Sequence, residues 1–310
     1  MIDFARVLQI YYPYSMQIYP NEFPGHHQDD CPRYMEMATA VSLNCTGAYT
    51  PDLHGLYRDP LQAQMKHYWW WTMNRIFENV PFIKDHMGIF TFLDDDVFLM
   101  EDFIYMTMLM KKISEFITVC QFMSFLTPTF KFPYTDNVGT YKAYLVNLTT
   151  WDPRYHSSVL SFDSSVWSSI SAHYSLFCSI DDYSWARSLY YLSHNRKDGG
   201  SFKVISSTLP RAFKTSISTV YDQWDYNMIS TLNRILHIQE LMNIHLYPSH
   251  LEVYVDVELE EDDFVRFDYL DNSGGWSDPR DKNMCVNITT NKIKKVIMDM
   301  AHEFHQYVSV

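Results

Sequence analysis

No apolar run in this chain reaches the about 18–20 residues needed to cross a bilayer: the most apolar window, residues 103–110, runs straight into Lys111 and Lys112. The start carries no signal-peptide pattern, because Met1 is followed by Asp3 and Arg6 and then by a strand-like stretch. Read literally, that places the chain in the cytosol. Positive charge is also short, with 24 Lys and Arg against 37 Asp and Glu and a net charge of −13. The densest basic run, Lys292-Ile293-Lys294-Lys295, is explained by a basic helix end. A nucleic-acid-binding surface is therefore not expected. Glycine is scarce, at nine residues, and neither repeats nor a low-complexity linker interrupts the chain. Cysteine is sparse and odd in number: five residues allow two bridges and a free thiol, or five reduced thiols in a cytosolic protein.

What is present is a globular composition of 310 residues, enough for one large α/β domain or two small ones. Three sequons, at Asn44, Asn147 and Asn287, exceed by little the about one or two expected by chance. Cys31 and Cys45 lie in a loop-like stretch and could close a short bridge. Residues 6–12 read as a strand ended by Pro13, and 14–60 as mostly irregular. Residues 61–80 fit a helix, with apolar positions at Leu61, Met65, Tyr68, Trp69, Met73, Ile76 and Phe77. Residues 87–93 form a continuous apolar run, as a buried parallel strand would. Further helices are expected over 101–118, 165–175, 182–192 and most of 219–244, and strands over 119–126, 159–164 and 203–207, with loop and strand over 127–150. The tail holds an acidic run over 258–263 and a turn-rich Asn272-Ser273-Gly274-Gly275. Alternating strands and helices predict one mostly parallel α/β sheet.

Asp94-Asp95-Asp96 is the sharpest chemical feature. Three carboxylates follow directly on an apolar strand, where open α/β sheets bind their ligands. Adjacent like charges need a cation or donor cluster beside them, and hard divalent metals bind diphosphates through such oxygens. A solvated acidic turn is the alternative. Asp181-Asp182-Tyr183-Ser184-Trp185 pairs carboxylates with aromatic rings, which suits sugar recognition, although Asp is also favoured at a helix start on capping grounds. Three consecutive Trp, 69–71, cover nearly every face of their helix and predict its burial. Gly274-Gly275-Trp276 reads as a packed turn with an anchoring Trp.

Several stretches, in order, carry a family likeness. They are Val7-Leu8-Gln9 with Pro13, Tyr14 and Ser15; residues 17–25 (QIYPNEFPG); Asp30-Cys31-Pro32-Arg33; Gly55-Leu56-Tyr57-Arg58; and Lys66-His67-Tyr68-Trp69-Trp70-Trp71. Then follow Phe92 to Asp96 with Asp102-Phe103, Asp181-Asp182-Tyr183 with Trp185, Pro210-Arg211 with Phe213, and Gly274-Gly275-Trp276 with Asp278 and Arg280-Asp281. Colinear and spread over almost the whole chain, they resemble the N-acetylglucosaminyltransferase II family.

The resemblance implies a type II Golgi membrane protein with a lumenal catalytic domain of Rossmann-like nucleotide-sugar fold, mostly parallel with flanking helices. It implies inverting, manganese-dependent transfer of N-acetylglucosamine from UDP-GlcNAc to the 2-hydroxyl of the α1,6-arm mannose of an N-glycan. By the same likeness, residues 1–310 form a single catalytic domain that lacks the family's first nucleotide-binding strands and membrane anchor. Asp96 falls on the metal ligand. Asp94, Asp95, Arg58 and Lys214 join it as nucleotide-sugar contacts. Tyr183, Trp185 and His156 fall on the acceptor side. Cys31–Cys45 and Cys178–Cys285 match family bridges, and Cys120 matches a cysteine whose partner position is Ile117. A homo-oligomer stays open.

Two departures bear on chemistry. The family's general base follows the Trp matched by Trp185; that position is Ala186, which leaves Asp182 or a neighbour to take the acceptor proton. A positioned base is typically worth about 100- to 10,000-fold. The family's second metal ligand, a His, is replaced by Lys214, which either repels manganese or supplies some of its charge. An active transferase is the first expectation, a non-catalytic glycan- or nucleotide-binding relative that partners an active enzyme the second, and a truncated, poorly folding product the third.

Overall fold

The computed structural model describes residues 7–80, 83, 86–126, 142–196, 200–215, 228–255 and 274–290. The acidic run 258–263, Asn272, Ser273 and the basic run 292–295 lie outside them. In chain order the helices are α1 (Met37–Leu43), α2 (Pro60–Asn79), α3 (Phe103–Ser114), α4 (Pro153–His156), α5 (Ser164–Ala172), α6 (Tyr174–Ser179), α7 (Trp185–Asn195), α8 (Met228–Met242) and α9 (Pro279–Thr289). The strands are β1 (Ile89–Leu93), β2 (Val97–Leu99), β3 (Cys120–Ser124), β4 (Leu145–Thr150), β5 (Val159–Asp163), β6 (Lys203–Ser207), β7 (Ala212–Lys214) and β8 (Glu252–Val255). The chain divides into two compact units. Unit 1 takes Met1–His86, Ser169–Leu192 and Val265–Val310; unit 2 takes Met87–Ser168 and Ser193–Phe264.

Unit 1 is built around α2. Asp59 starts it by accepting from the backbone N–H groups of Leu61 and Gln62, and Pro60 fits the first helical position, where no amide partner is needed. The helix buries Ala63, Lys66, His67, Trp70, Met73, Asn74 and Phe77, a stripe at helical spacing. It packs against α9, which Asp278 caps through Arg280 N at 2.8 Å. The Trp run is core, as its sequence suggests: Trp70 is fully buried, stacks on Phe177 at 4.2 Å, and donates from its indole to Thr289. Disulfides join Cys178 of α6 to Cys285 of α9, and Cys31 to Cys45 around α1. Cys120 is free. The strand expected at the start is absent over 7–12. Val7, Leu8 and Tyr11 are exposed and, among the described residues, no strand pairs with them; β-branched and aromatic composition without a partner strand does not make a sheet. Tyr12 instead sets its ring edge-on to Tyr68 and Trp71.

Unit 2 holds a six-stranded sheet of order β1-β5-β3-β6-β4-β8 and a two-stranded ladder, β2-β7. The expectation of a mostly parallel sheet is corrected here. Within the six-stranded sheet, β1·β5, β5·β3 and β6·β4 are antiparallel, and only β3·β6 and β4·β8 are parallel. β1, β3 and β6 do share one direction, as strand–helix alternation predicts. β5, however, inserts between β1 and β3 in the opposite sense, and β4 with β8 extends the sheet beyond β6 in that sense too. Counting alternations cannot reveal such insertions. β1 is accordingly an outer, half-exposed antiparallel strand among the described residues, not a buried parallel one. Its apolar run serves pairing and stacking, as in Phe92 on Phe162 at 4.9 Å. Beneath the sheet, Phe103, Met106 and Met110 of α3 meet Met123, Phe125, Val146, Leu148 and Ile205. A second cluster joins Met100 and Leu209 to Ile238 and Met242 of α8.

Candidate active site

Unit 2 positions the acidic turn. Asp94-Asp95-Asp96 leave β1 and lead into β2, which pairs antiparallel with β7 so that Val97 faces Lys214. The turn is locked by backbone bonds: Asp94 N donates to Ser158 O at 3.2 Å, and Thr215 donates to Asp96 O from its amide at 2.7 Å and its hydroxyl at 2.9 Å. Asp94 and Asp95 are exposed and Asp96 is half-buried. Lys214, 120 residues away along the chain by simple difference from Asp94, places Nζ 3.2 Å from Asp94 Oδ2.

At the junction of β2 and β7 lies a buried charge pair. Arg211 and Asp102 form a fully buried ion pair, Nε to Oδ2 at 2.8 Å. Arg211 N also donates to Phe125 O, Met100 N donates to Arg211 O, and Tyr247 N donates to the same Asp102 oxygen. Burial lowers the Arg211 pKa against the opposing pull of Asp102. The pair fixes where β7 meets β2, and so where Lys214 stands relative to the three aspartates. A buried Asp–Arg pair 109 residues apart has no local sequence signal.

His156, at the end of α4, is buried and pushed down to about 4, chiefly by burial. Its Nδ1 accepts from Asp152 N at 3.1 Å, so the neutral ring carries its proton on Nε2.

Unit 1 positions the carboxylate–aromatic segment. Lys66 is fully buried, with Nζ donating to Ile180 O at 2.9 Å and Asp182 O at 3.1 Å and lying 4.3 Å from the centre of the Trp276 ring. Burial pulls its pKa down to about 7, with Asp182 and Asp181 opposing. Asp182 is fully buried. Its Oδ1 accepts from Ser184 N at 2.7 Å, and its Oδ2 lies 3.7 Å from Arg187 Nη1. Asp181 is half-buried and accepts from Trp276 N at 2.7 Å. The Tyr183 oxygen accepts from Arg33 at 2.9 Å and from Asp59 N at 2.7 Å; burial raises the phenol to about 12. Trp185 stacks flat on Trp69 at 4.4 Å and stays half-exposed. Gly275, at φ +87°, lies against Tyr183, where an added Cβ would come within 1.8 Å of the ring. Gly274 O accepts from Tyr183 N. The glycine pair is therefore a packed seat for this segment, as its sequence suggests. Ala186 is buried in the first turn of α7.

Arg58 places every donor group inside unit 1. Nε and Nη2 reach Asp281 at 2.6 and 3.0 Å, Nη1 reaches Gly25 O, and Nη2 reaches Pro24 O. His67 Nε2 completes the cluster at 2.9 Å from Asp281 Oδ1. Burial would raise the Asp281 pKa, but His67 and Arg58 hold it down at about 2.

Lys214 engages Asp94, not Asp96, the metal ligand that the family likeness implies. A hard divalent cation takes a carboxylate oxygen at about 2.1 Å. On Asp94 it would crowd an ammonium already 3.2 Å from that carboxylate. Among the described residues no three His, Cys, Asp or Glu side chains converge as a metal site. No helix among them is long and apolar enough to cross a membrane.

The likeness read from the sequence extends to known proteins. The mouse protein named alpha-1,6-mannosyl-glycoprotein 2-beta-N-acetylglucosaminyltransferase is 30% identical over 289 residues, 92% of this chain and 62% of its own length. The human protein of that name is 29% identical over 289 residues, 92% of this chain and 61% of its own. The Arabidopsis thaliana protein of that name is 25% identical over 302 residues, 93% and 63%. The chain thus spans about three fifths of these relatives. The model of the family described as N-acetylglucosaminyltransferase II (MGAT2) matches residues 1–285, which takes in the acidic turn, Arg211, Lys214 and the Asp181–Trp185 segment, and by that match this chain belongs to the N-acetylglucosaminyltransferase II family.

Proposed function

We propose that this chain transfers N-acetylglucosamine from UDP-GlcNAc to the 2-hydroxyl of a terminal N-glycan mannose, on a Rossmann-like nucleotide-sugar fold. Family membership supplies the reaction. The observation that carries it to these residues is the acidic turn, which the β2-β7 ladder and the buried Asp102–Arg211 pair hold against Lys214.

In this reading the donor belongs to Asp94, Asp95, Asp96 and Lys214 of unit 2. Carboxylates accept from ribose and sugar hydroxyls, and an ammonium meets phosphate oxygens. The acceptor sugar belongs to Trp185 of unit 1, whose half-exposed indole offers an apolar face to a pyranose, and buried Tyr183 positions this segment through Arg33 and Asp59. His156 of unit 2 is a neutral imidazole able to donate from Nε2. The proton of the attacking hydroxyl falls to the Asp181–Asp182 pair, since Ala186 has no basic atom. Asp182 reaches an acceptor only if its Ser184 and Arg187 contacts open, while Asp181 already has solvent-facing surface. The two disulfides suit an oxidising lumen such as the Golgi.

The test is incubation of the chain with UDP-GlcNAc and a mannose-terminated N-glycan, followed by mass analysis of the glycan. A gain of one N-acetylhexosamine, absent in Asp96→Ala, supports the reading. An unchanged glycan in the presence of intact, folded protein overturns it.

A further inference from the structure

The acidic turn carries its own cation. β7 is paired to β2 with Lys214 opposite Val97, one residue past Asp96, and Thr215 holds Asp96 O through two hydrogen bonds. The backbone at Lys214 is thus fixed, and the Asp102–Arg211 pair anchors the same junction. Nζ lies 3.2 Å from Asp94 Oδ2, with both side chains about two-fifths exposed, at 44% and 43%. A pair this exposed is weakly held, so the ammonium can turn to bridge the carboxylate and a phosphate oxygen. It has three donors, of which a single carboxylate oxygen occupies one.

We propose that Lys214 supplies the positive charge that the donor's diphosphate needs, so that this chain binds a nucleoside diphosphate sugar without a divalent cation. The proposal rests on the donor reading above. The ammonium is covalently tethered to the chain at Asp94, so the turn has a positive charge beside it before any divalent cation reaches Asp96. Bridging the Asp94 carboxylate and a phosphate oxygen, the ammonium offsets the repulsion between them, and Asp95 is left to accept from hydroxyls of the ribose or sugar. Phosphoryl oxygens then meet a point charge, which suits Lys, rather than a coordination sphere.

The experiment is calorimetric titration of the full chain with UDP-GlcNAc, once in EDTA and once in manganese chloride, with Lys214→Ala and Lys214→His alongside and circular dichroism as a check on folding. Dissociation constants in the two buffers are expected to agree within about twofold. Lys214→Ala should weaken binding at least about tenfold, as loss of a charge-assisted contact does. Lys214→His, which replaces the ammonium by a metal ligand, should bind better with manganese than with EDTA. Binding by the wild-type chain only in manganese would overturn the proposal while leaving the donor reading intact, as would unchanged binding by folded Lys214→Ala. No binding of UDP-GlcNAc in either buffer would overturn the donor reading itself.

Discussion

Single side chains set the chemistry and the pH response. Ala186 occupies the second position of α7, where a carboxylate gains from the positive end of the helix dipole. Ala186→Asp is therefore expected to keep α7, at some cost for burying a carboxylate, and to raise the initial transfer rate above that supported by Asp181 and Asp182, a positioned base being worth about 100-fold or more. Initial rates against the wild type check it. His156 titrates at about 4 in the folded chain because burial disfavours its charge, against an ordinary value near 6.5. Its folded value lies below its unfolded one, so the unfolded chain binds the extra proton. Stability is then full above about pH 6.5 and falls as pH drops towards 4, by on the order of 3 kcal/mol. Thermal melts across that window should show the loss, and His156→Gln, which keeps an acceptor for Asp152 N, should flatten it. Asp102→Ala leaves Arg211 charged and alone in the core, which costs about 3–5 kcal/mol; denaturant unfolding measures this. None of these three roles shows in a local pattern. His156 reads as any histidine, and Asp102 and Arg211 become a pair only when β2 and β7 meet.

The helices were easier to read than the strands. α2 is legible because its cap, its proline and its buried stripe all lie within one window of sequence. Its Trp run states burial by bulk alone. Strand direction is not local: β5 inserts between β1 and β3, and the apolar run of β1 looks the same whether its neighbour runs parallel or antiparallel. The strand-like composition of 7–12 failed for want of a partner. The disulfides act at this scale too. Cys178–Cys285 ties α6 to α9 across a separation of 107 residues, and Cys31–Cys45 closes one of 14. By loop entropy the first is worth about 4.7 kcal/mol and the second about 3. Replacing both cysteines of the longer loop by Ser should lower the urea midpoint more than the same change in the shorter one. Tryptophan fluorescence reports this, since Trp69, Trp70 and Trp185 sit in the stacks of that unit.

At the scale of the whole chain, the acidic turn, the aromatic segment and the glycine pair were legible as motifs, because each is contiguous. Their chemistry came from family likeness rather than from the residues, which alone reach an α/β protein with an acidic strand end. The structure adds what holds each group in place: a buried ion pair behind the turn in unit 2, and Lys66, Trp276 and Gly275 behind the Asp181–Trp185 segment in unit 1. The most direct measurement is nuclear magnetic resonance of the glycan after overnight reaction with UDP-GlcNAc, which reads both the position and the configuration of any added sugar. The account predicts a β-linked N-acetylglucosamine on mannose O2, formed by the wild-type chain and faster by Ala186→Asp. A glycan spectrum that stays unchanged while UDP-GlcNAc binds to the same protein would contradict it, and would leave a nucleotide-sugar-binding protein that does not transfer.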